Sequence, residues 1–192
     1  YLGVLGLATG MTAYAGMTRV AEVQEGNTVV VSAAAGAVGS CACQVAKNLG
    51  ARVIGIAGGA AKVDYLLNEI GCDAAVDYKA PDLEGQLLAA APDGIDVFFD
   101  NVGGETLDAA LLNLNKDATV VFCGSISTYN SSEPVPGPYN WWQVLARSVT
   151  VKGYLISDYV PRFGEGQAQL AEWVQAGQIQ FKEHIVDGFD NC

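Results

Sequence analysis

Between Ala33 and Ser40 the chain reads AAAGAVGS, placing Gly36 and Gly39 three residues apart. The apolar run Thr28–Ser32 precedes it, and Val38, Cys41, Ala42, Val45 and Leu49 recur after it at helical spacing. A strand that feeds such a turn into a helix leaves backbone amides free at the helix N-terminus, and those amides bind anions. Gly36 lets the backbone approach a pyrophosphate, and Gly39 lets helix and strand pack closely. The segment is therefore a dinucleotide fingerprint, with Ala34 in place of its first glycine. Alone, it also fits a Gly/Ala-rich turn with packing duties only.

The end of the second apolar run, Arg52–Ile56, bears on which dinucleotide would fit. A domain that takes NAD places Asp or Glu ~20 residues past the fingerprint, accepting from the adenosine ribose hydroxyls. Here the run continues Ala57-Gly58-Gly59-Ala60-Ala61-Lys62, without an acid and with one base. An acid would repel the additional phosphate of NADP(H), and Lys62 would attract it. The bland alternative is a solvated lysine in a first helical turn, where its charge opposes the macrodipole. That mismatch favours a phosphate partner. The missing acid also disfavours an S-adenosylmethionine methyltransferase, whose ribose needs an acceptor.

Other polar residues carry weaker signals. Tyr78, closing a third run, is placed to hydrogen-bond an adenosine phosphate, or is an ordinary rim tyrosine. Tyr129 falls in a loop after a strand, at the sheet edge where open α/β folds bind ligands. A phenol there donates a proton or simply caps a turn. Asn101, two residues past the apolar run Ile95–Phe99, suits a left-handed turn in any case. Asp93, Asp96 and Asp100 invite a carboxylate-catalysis reading, but Asp93 sits in Pro-Asp-Gly and Asp96 begins a strand, so solvated turn acids are expected. His184 is the single histidine, and a metal site needs three or four ligands, so it reads as a surface residue. Cys41 and Cys43, two apart on a helix, diverge and do not clip a metal. No Gly-x-Ser-x-Gly elbow or Cys–His pairing supports a nucleophile.

These residues need a scaffold, and the chain supplies one in alternating short β-branched runs and longer helix-spaced segments. A helix is expected over Gly10–Val23, with Thr9 as a possible cap and Ala13, Met17 and Val20 on one face. Strands are expected at Thr28–Ser32, Arg52–Ile56, Ala74–Tyr78, Ile95–Phe99, Ala118–Cys123 and Val149–Ile156. Helices marked by Val63, Leu66, Leu67 and Ile70, by Asp82–Ala91, and by Leu107, Leu111 and Leu114 alternate with them. Gly50 and Gly71 stand where helices end. EPVPGPYN, from Glu133 to Asn140, must be a loop, followed by a short helix Trp141–Arg147. An amphipathic helix through Leu170, Trp173 and Val174 completes the pattern. The fold class is α/β: one doubly wound parallel sheet of Rossmann type, about six strands with helices on both faces.

Composition narrows the function. The 192 residues are 51% hydrophobic and 16% charged, which excludes intrinsic disorder despite a net charge of −11. Ten basic residues against 21 acidic ones argue against a nucleic-acid or anionic-membrane surface. Five cysteines, an odd number, fit a reduced, cytoplasmic protein better than a disulfide framework. The uncharged runs Tyr1–Thr18 and Gly26–Ala46 contain turn-compatible residues, and the start lacks a basic leader region, so a soluble chain is expected. A first residue of Tyr rather than Met is what is expected of a fragment, a processed product or a trimmed numbering.

Four segments together carry a family resemblance: AAAGAVGS; Val76-Asp77-Tyr78-Lys79; Phe99-Asp100-Asn101-Val102-Gly103-Gly104; and Cys123-Gly124-Ser125-Ile126-Ser127-Thr128-Tyr129-Asn130. In that order they resemble the prostaglandin reductase and alkenal double-bond reductase branch of the zinc-independent medium-chain dehydrogenase/reductases. The resemblance runs from Tyr1 to Asn191. It implies an NADPH-dependent reductase of the carbon–carbon double bond in α,β-unsaturated ketones and aldehydes, a homodimer paired antiparallel through the sixth strand, and no metal. Positions matching the family's cofactor contacts are Ala37, Val38, Gly39 and Ser40 beside Gly36, then Lys62, Tyr78 and Asn101. Cys123, Gly124, Ser125, Ile126, Ser127 and Tyr129 follow, and Tyr154, Leu155 and Ile156 complete the set. The matching tyrosine of the family, here Tyr129, lies near the enone oxygen. The family's GroES-like substrate domain and C-terminal end have no counterpart in these residues, so residues 1–192 are expected to be the cofactor domain. Two alternatives stay open: the related quinone oxidoreductase branch, and a nucleotide-binding or dimerisation module without chemistry of its own.

Overall fold

The computed structural model describes residues 3–182 and 186–191; His184 and Cys192 lie outside them. Six strands form one parallel sheet: β1 Thr28–Val31, β2 Arg52–Ala57, β3 Ala74–Asp77, β4 Ile95–Asp100, β5 Leu114–Phe122 and β6 Thr150–Gly153. Their spatial order is β3-β2-β1-β4-β5-β6, the doubly wound order with its reversal between β1 and β4. In register, Val29, Val30 and Val31 face Val97, Phe98 and Phe99 on one side and Val53, Ile54 and Gly55 on the other.

Strand alternation divides the core into two halves. Val29, Val31, Val53, Val97, Phe99 and Val121 pack with Met17, Val45, Leu66 and Leu170 on one face. Val30, Ile54, Phe98 and Val120 pack with Leu87, Leu107 and Leu111 on the other. The first face is covered by a helical run α1 made of Leu7–Met11, Thr12–Ala15 and Gly16–Val20, with α2 Ala37–Asn48, α3 Ala60–Asn68 and, after β6, α7 Phe163–Gln175. The second carries α4 Leu83–Ala90 and α5 Gly104–Leu112; α6 Trp142–Ala146 precedes β6. Both faces being covered explains why the strands read as continuous apolar runs. Among the described residues no helix is long and apolar enough to cross a membrane.

Several boundaries differ from expectation. The first helix begins at Leu7 behind Gly6, without a side-chain cap, so Thr9 lies inside it. Two of its turns are wide: the Met11 amide donates to Gly6 O and the Ala21 amide to Gly16 O. Leu67 is exposed while Leu66 is buried, so α3 offers a narrower apolar face. Leu114 is buried as the first residue of β5, not the last of a helix. The strand starts early because its pairing with β4 slips between Ile95 and Val97, with Asp117 in a left-handed conformation at φ +62°. Arg147 donates to the carbonyls of Leu112 and Leu114, holding the α5–β5 junction. At the other end, β6 stops at Gly153. Tyr154 and Ile156 turn in against the first core face, and the Tyr154 hydroxyl donates to Thr12 O at 2.7 Å.

Candidate functional site

At the carboxyl ends of β1, β2 and β4 a cleft of about 400 Å³ opens where the strand order reverses, the position at which open α/β sheets take ligands. Ala33, Ala35 and Gly36 form its floor. Ile56, Ala57, Gly58, Lys62 and Tyr78 line one end, and Val102, Thr106, Ile126 and Ser127 the other.

The floor is the fingerprint. Gly36 is the N-cap residue of α2 in extended conformation and provides no side-chain cap, so the first amides of the helix keep their capacity to donate. Gly36 and Ala37 are exposed and Val38 half-buried, which leaves that helix end open to the cleft. Gly39 is buried for the reason its position requires: a Cβ there would lie 2.3 Å from Ala33 O and 2.8 Å from Ala34 Cα. Ser40 turns inward to its own helix, its hydroxyl donating to Ala37 O at 3.3 Å.

At the β2–β3 end, Tyr78 lies over Gly58, where a Cβ would meet its ring at 2.7–2.9 Å. The ring is half exposed, and Lys62 is exposed beside it; no ion pair among the described residues engages Lys62. An acid does stand nearby, since Asp77 closes β3. Its Oδ1 accepts from the Gly59 amide at 2.8 Å and the Lys79 amide at 3.0 Å. Those two amides, Gly59 first, hold its carboxyl below the usual range, and the acid shapes the loop at the end of β2. The end of the cleft thus presents a lysine and a phenol.

The opposite end is built by two loops tied together. Asp100, the last residue of β4, is wholly buried and accepts from the Ser32 hydroxyl at 2.8 Å and from the amides of Val102 and Gly103 at 3.0 and 3.1 Å. Sequence reasoning grouped it with solvated turn acids. That holds for exposed Asp93, but Asp96 is half-buried and accepts from the Thr28 amide and Asn115, and Asp100 is a core acceptor. Burial pushes the Asp100 carboxyl up from its ordinary pKa, against the amides and hydroxyl that pull it down. Asn101 spends its side-chain amide on Ser32 O at 2.8 Å. The loop after β5 then hangs on the loop after β4: Ile126 N donates to Asn101 O, and Ser127 N and Oγ donate to Val102 O.

The remaining expected positions are spread around this rim. Gly124 and Ser125 are half-buried, and the Ser125 amide donates to the Tyr129 hydroxyl at 3.1 Å. That bond uses a lone pair and leaves the phenolic proton free to donate. Tyr129 is 66% exposed and does not line the cleft. Cys123 and Tyr154 face one another, hydroxyl to sulfur at 3.7 Å, and burial raises both their pKa values. With its proton on Thr12 O, Tyr154 is a poor proton donor. Leu155 is exposed and Ile156 half-buried, and neither lines the cleft. Thr106 and Ser32 were missed in sequence; Ser32 offered a signal, a polar residue closing an apolar run, and Thr106, inside the first turn of α5, offered none.

The family model described as zinc-binding dehydrogenase matches residues 37–175, most of the chain and all of these elements from α2 to α7. The chain belongs to this family. Within it the resemblance to the prostaglandin and alkenal reductase branch holds. Prostaglandin reductase 1 of Oryctolagus cuniculus is 41% identical over 192 residues, 99% of this chain and 54% of the relative. The NADPH-dependent curcumin reductase of Escherichia coli is 40% identical over 196 residues, 100% of this chain and 56% of the relative. The crystal structure of CurA in complex with NADPH from Vibrio vulnificus superposes with a TM-score of 0.93 at 41% identity, covering 99% of this chain and 58% of that one. The chain thus spans little more than half the length of these relatives. The family's descriptive name invokes zinc. Among the described residues no group of three His, Cys, Asp or Glu side chains could hold a metal, so the residues do not fit such a site.

Proposed function

We propose that this chain is the NADP(H)-binding domain of a reductase that saturates the carbon–carbon double bond of α,β-unsaturated ketones and aldehydes. The observation that carries the reading is the charge arrangement at the β2–β3 end: Lys62 without an ion-pair partner among the described residues, Tyr78 beside it, and Asp77 committed to backbone amides. Such an end attracts the phosphate that distinguishes NADP(H) from NAD(H). The open end of α2, Gly36 to Ser40, takes the pyrophosphate. Asn101 and the rim from Cys123 to Ser127 surround the far half of the cofactor, whereas Tyr154, Leu155 and Ile156 do not line the cleft and take no part in this reading. NADPH, when bound, supplies the hydride. Tyr129, with its proton unspent, hydrogen-bonds or protonates the enone oxygen as negative charge develops there. The relatives support the reading through the NADPH named for the curcumin reductase and for CurA.

In this reading residues 1–192 are the cofactor domain, and a GroES-like domain outside them holds the enone. Two copies pair antiparallel through β6, which forms the sheet edge and is exposed along its whole length.

The deciding experiment is a fluorescence titration of NADPH and NADH against the chain and its Lys62→Ala variant. Losing one charge-assisted phosphate contact costs about 1.5–3 kcal/mol. Lys62→Ala should weaken NADPH by roughly tenfold to a hundredfold and leave NADH nearly unchanged. Equal weakening of both would remove the NADP assignment.

A further inference from the structure

Asp100 does not line the cleft, yet it governs most of what does at one end. Its carboxylate is wholly buried and receives the Ser32 hydroxyl and the amides of Val102 and Gly103, with Gly103 N 3.1 Å from both oxygens. Ser32 in turn accepts the Asn101 amide on its hydroxyl oxygen and the Asn101 side chain on its carbonyl, both at 2.8 Å. Three consecutive residues after β4 are thereby fixed to the end of β1 through one carboxylate and one hydroxyl. The backbone carbonyls of the same stretch carry the next loop: Asp100 O receives Cys123 N and Gly124 N, Asn101 O receives Ile126 N, and Val102 O receives Ser127. Val102, Ile126 and Ser127 are the cleft wall farthest from Lys62 and Tyr78.

A buried ionisable group that an apolar residue could replace is seldom kept for stability alone, since desolvation offsets its gains. A fixed wall, on the other hand, lowers the ordering cost of binding whatever rests against it. We propose that Asp100, acting with Ser32, is a positioning residue that presets the loops after β4 and β5 for the nicotinamide half of NADP(H). The inference rests on the cofactor reading above. The adenosine half meets Lys62, Tyr78 and the Gly36–Gly39 turn, which Asp100 does not touch.

The two halves of the cofactor can be separated experimentally. Adenosine 2′,5′-bisphosphate carries the adenosine end with its distinguishing phosphate and lacks the nicotinamide. Calorimetric titration of this compound and of NADPH would be run on the unaltered chain, Asp100→Asn and Ser32→Ala. Asp100→Asn keeps the shape but turns an acceptor into a donor facing an amide, and Ser32→Ala removes the hydroxyl bridge. The expected result is a loss of about tenfold in NADPH affinity, with adenosine 2′,5′-bisphosphate held within about twofold, since the contact must now be ordered on binding. Retained binding of the bisphosphate also shows that the variant is folded. If Asp100→Asn does not fold, Ser32→Ala carries the same comparison. Equal weakening of both ligands, or of neither, overturns the positioning role. Failure of the unaltered chain to bind either ligand overturns the cofactor reading itself, an outcome distinct from the other two.

Discussion

Asp100 couples protonation to folding. Burial raises its carboxyl in the folded chain above the ~3.9 of an unfolded aspartate, while four hydrogen bonds partly restore the ionised form. The sign follows: a raised folded pKa adds stability below the unfolded value, and that contribution is lost as pH rises through the folded one. Urea unfolding of the chain and of Asp100→Asn between about pH 4 and pH 7 should therefore show the parent losing ground to the variant as pH rises. A pH-independent difference would mean that the carboxylate is as well solvated by its amides as by water. Gly39 makes the opposite kind of demand, steric rather than electrostatic. Its missing Cβ would sit 2.3 Å from a backbone oxygen that no rotamer change can move. Gly39→Ala should cost about 1–3 kcal/mol of unfolding free energy, as overpacking does. Gly36→Ala, whose Cβ meets only Ala33 O at 3.2 Å, should cost less.

At the scale of elements, β6 is the exposed problem. It pairs with β5 through Thr150, Val151, Lys152 and Gly153 and has no strand on its other side among the described residues. Unpaired edges are normally covered, charged or paired. Lys152 blunts this edge somewhat, but the exposed Val151 and the exposed Trp142 and Leu145 of the preceding helix keep the region apolar. The proposed antiparallel pairing of two copies would join two six-stranded sheets into one. Sedimentation at high micromolar concentration should show a dimer, and a second lysine at Val151 should shift it towards monomer. A monomer at all concentrations would count against the pairing.

For the whole molecule, the question is how much of the proposed reductase resides in one α/β domain. The sheet, both covered faces and the cleft are complete among the described residues, so folding and cofactor binding are expected of the chain by itself. Turnover is a separate matter. Holding the enone within reach of the nicotinamide can contribute ~7–11 kcal/mol of the barrier, whereas a proton donor such as Tyr129 supplies ~10²–10⁴-fold. Steady-state NADPH oxidation with simple enones should accordingly run far below the ~10 s⁻¹ of a typical enzyme. Rates near that value would show that the chain positions its substrate unaided, and the proposed division of labour between two domains would fall.

The fold was largely legible in the sequence because its determinants are local and periodic. Apolar runs of four to six residues, helix spacings and terminal glycines recur with the sheet's own rhythm, and AAAGAVGS is written contiguously. The place of Lys62 on the cleft was legible for the same reason, just past the second strand. Boundaries failed where distant contacts overrode propensity: the Thr12 carbonyl draws Tyr154 off the sheet edge, and the β4–β5 slip recruits Leu114 into a strand. That Asp77 and Asp100 serve as acceptors of backbone amides was decided only in three dimensions. Along the chain each is one acid near a strand end, as the exposed Asp93 also is. What separates them is whether the fold brings amides from Gly59, Val102 and Gly103, or bulk water, to the carboxylate, and sequence spacing does not encode that choice.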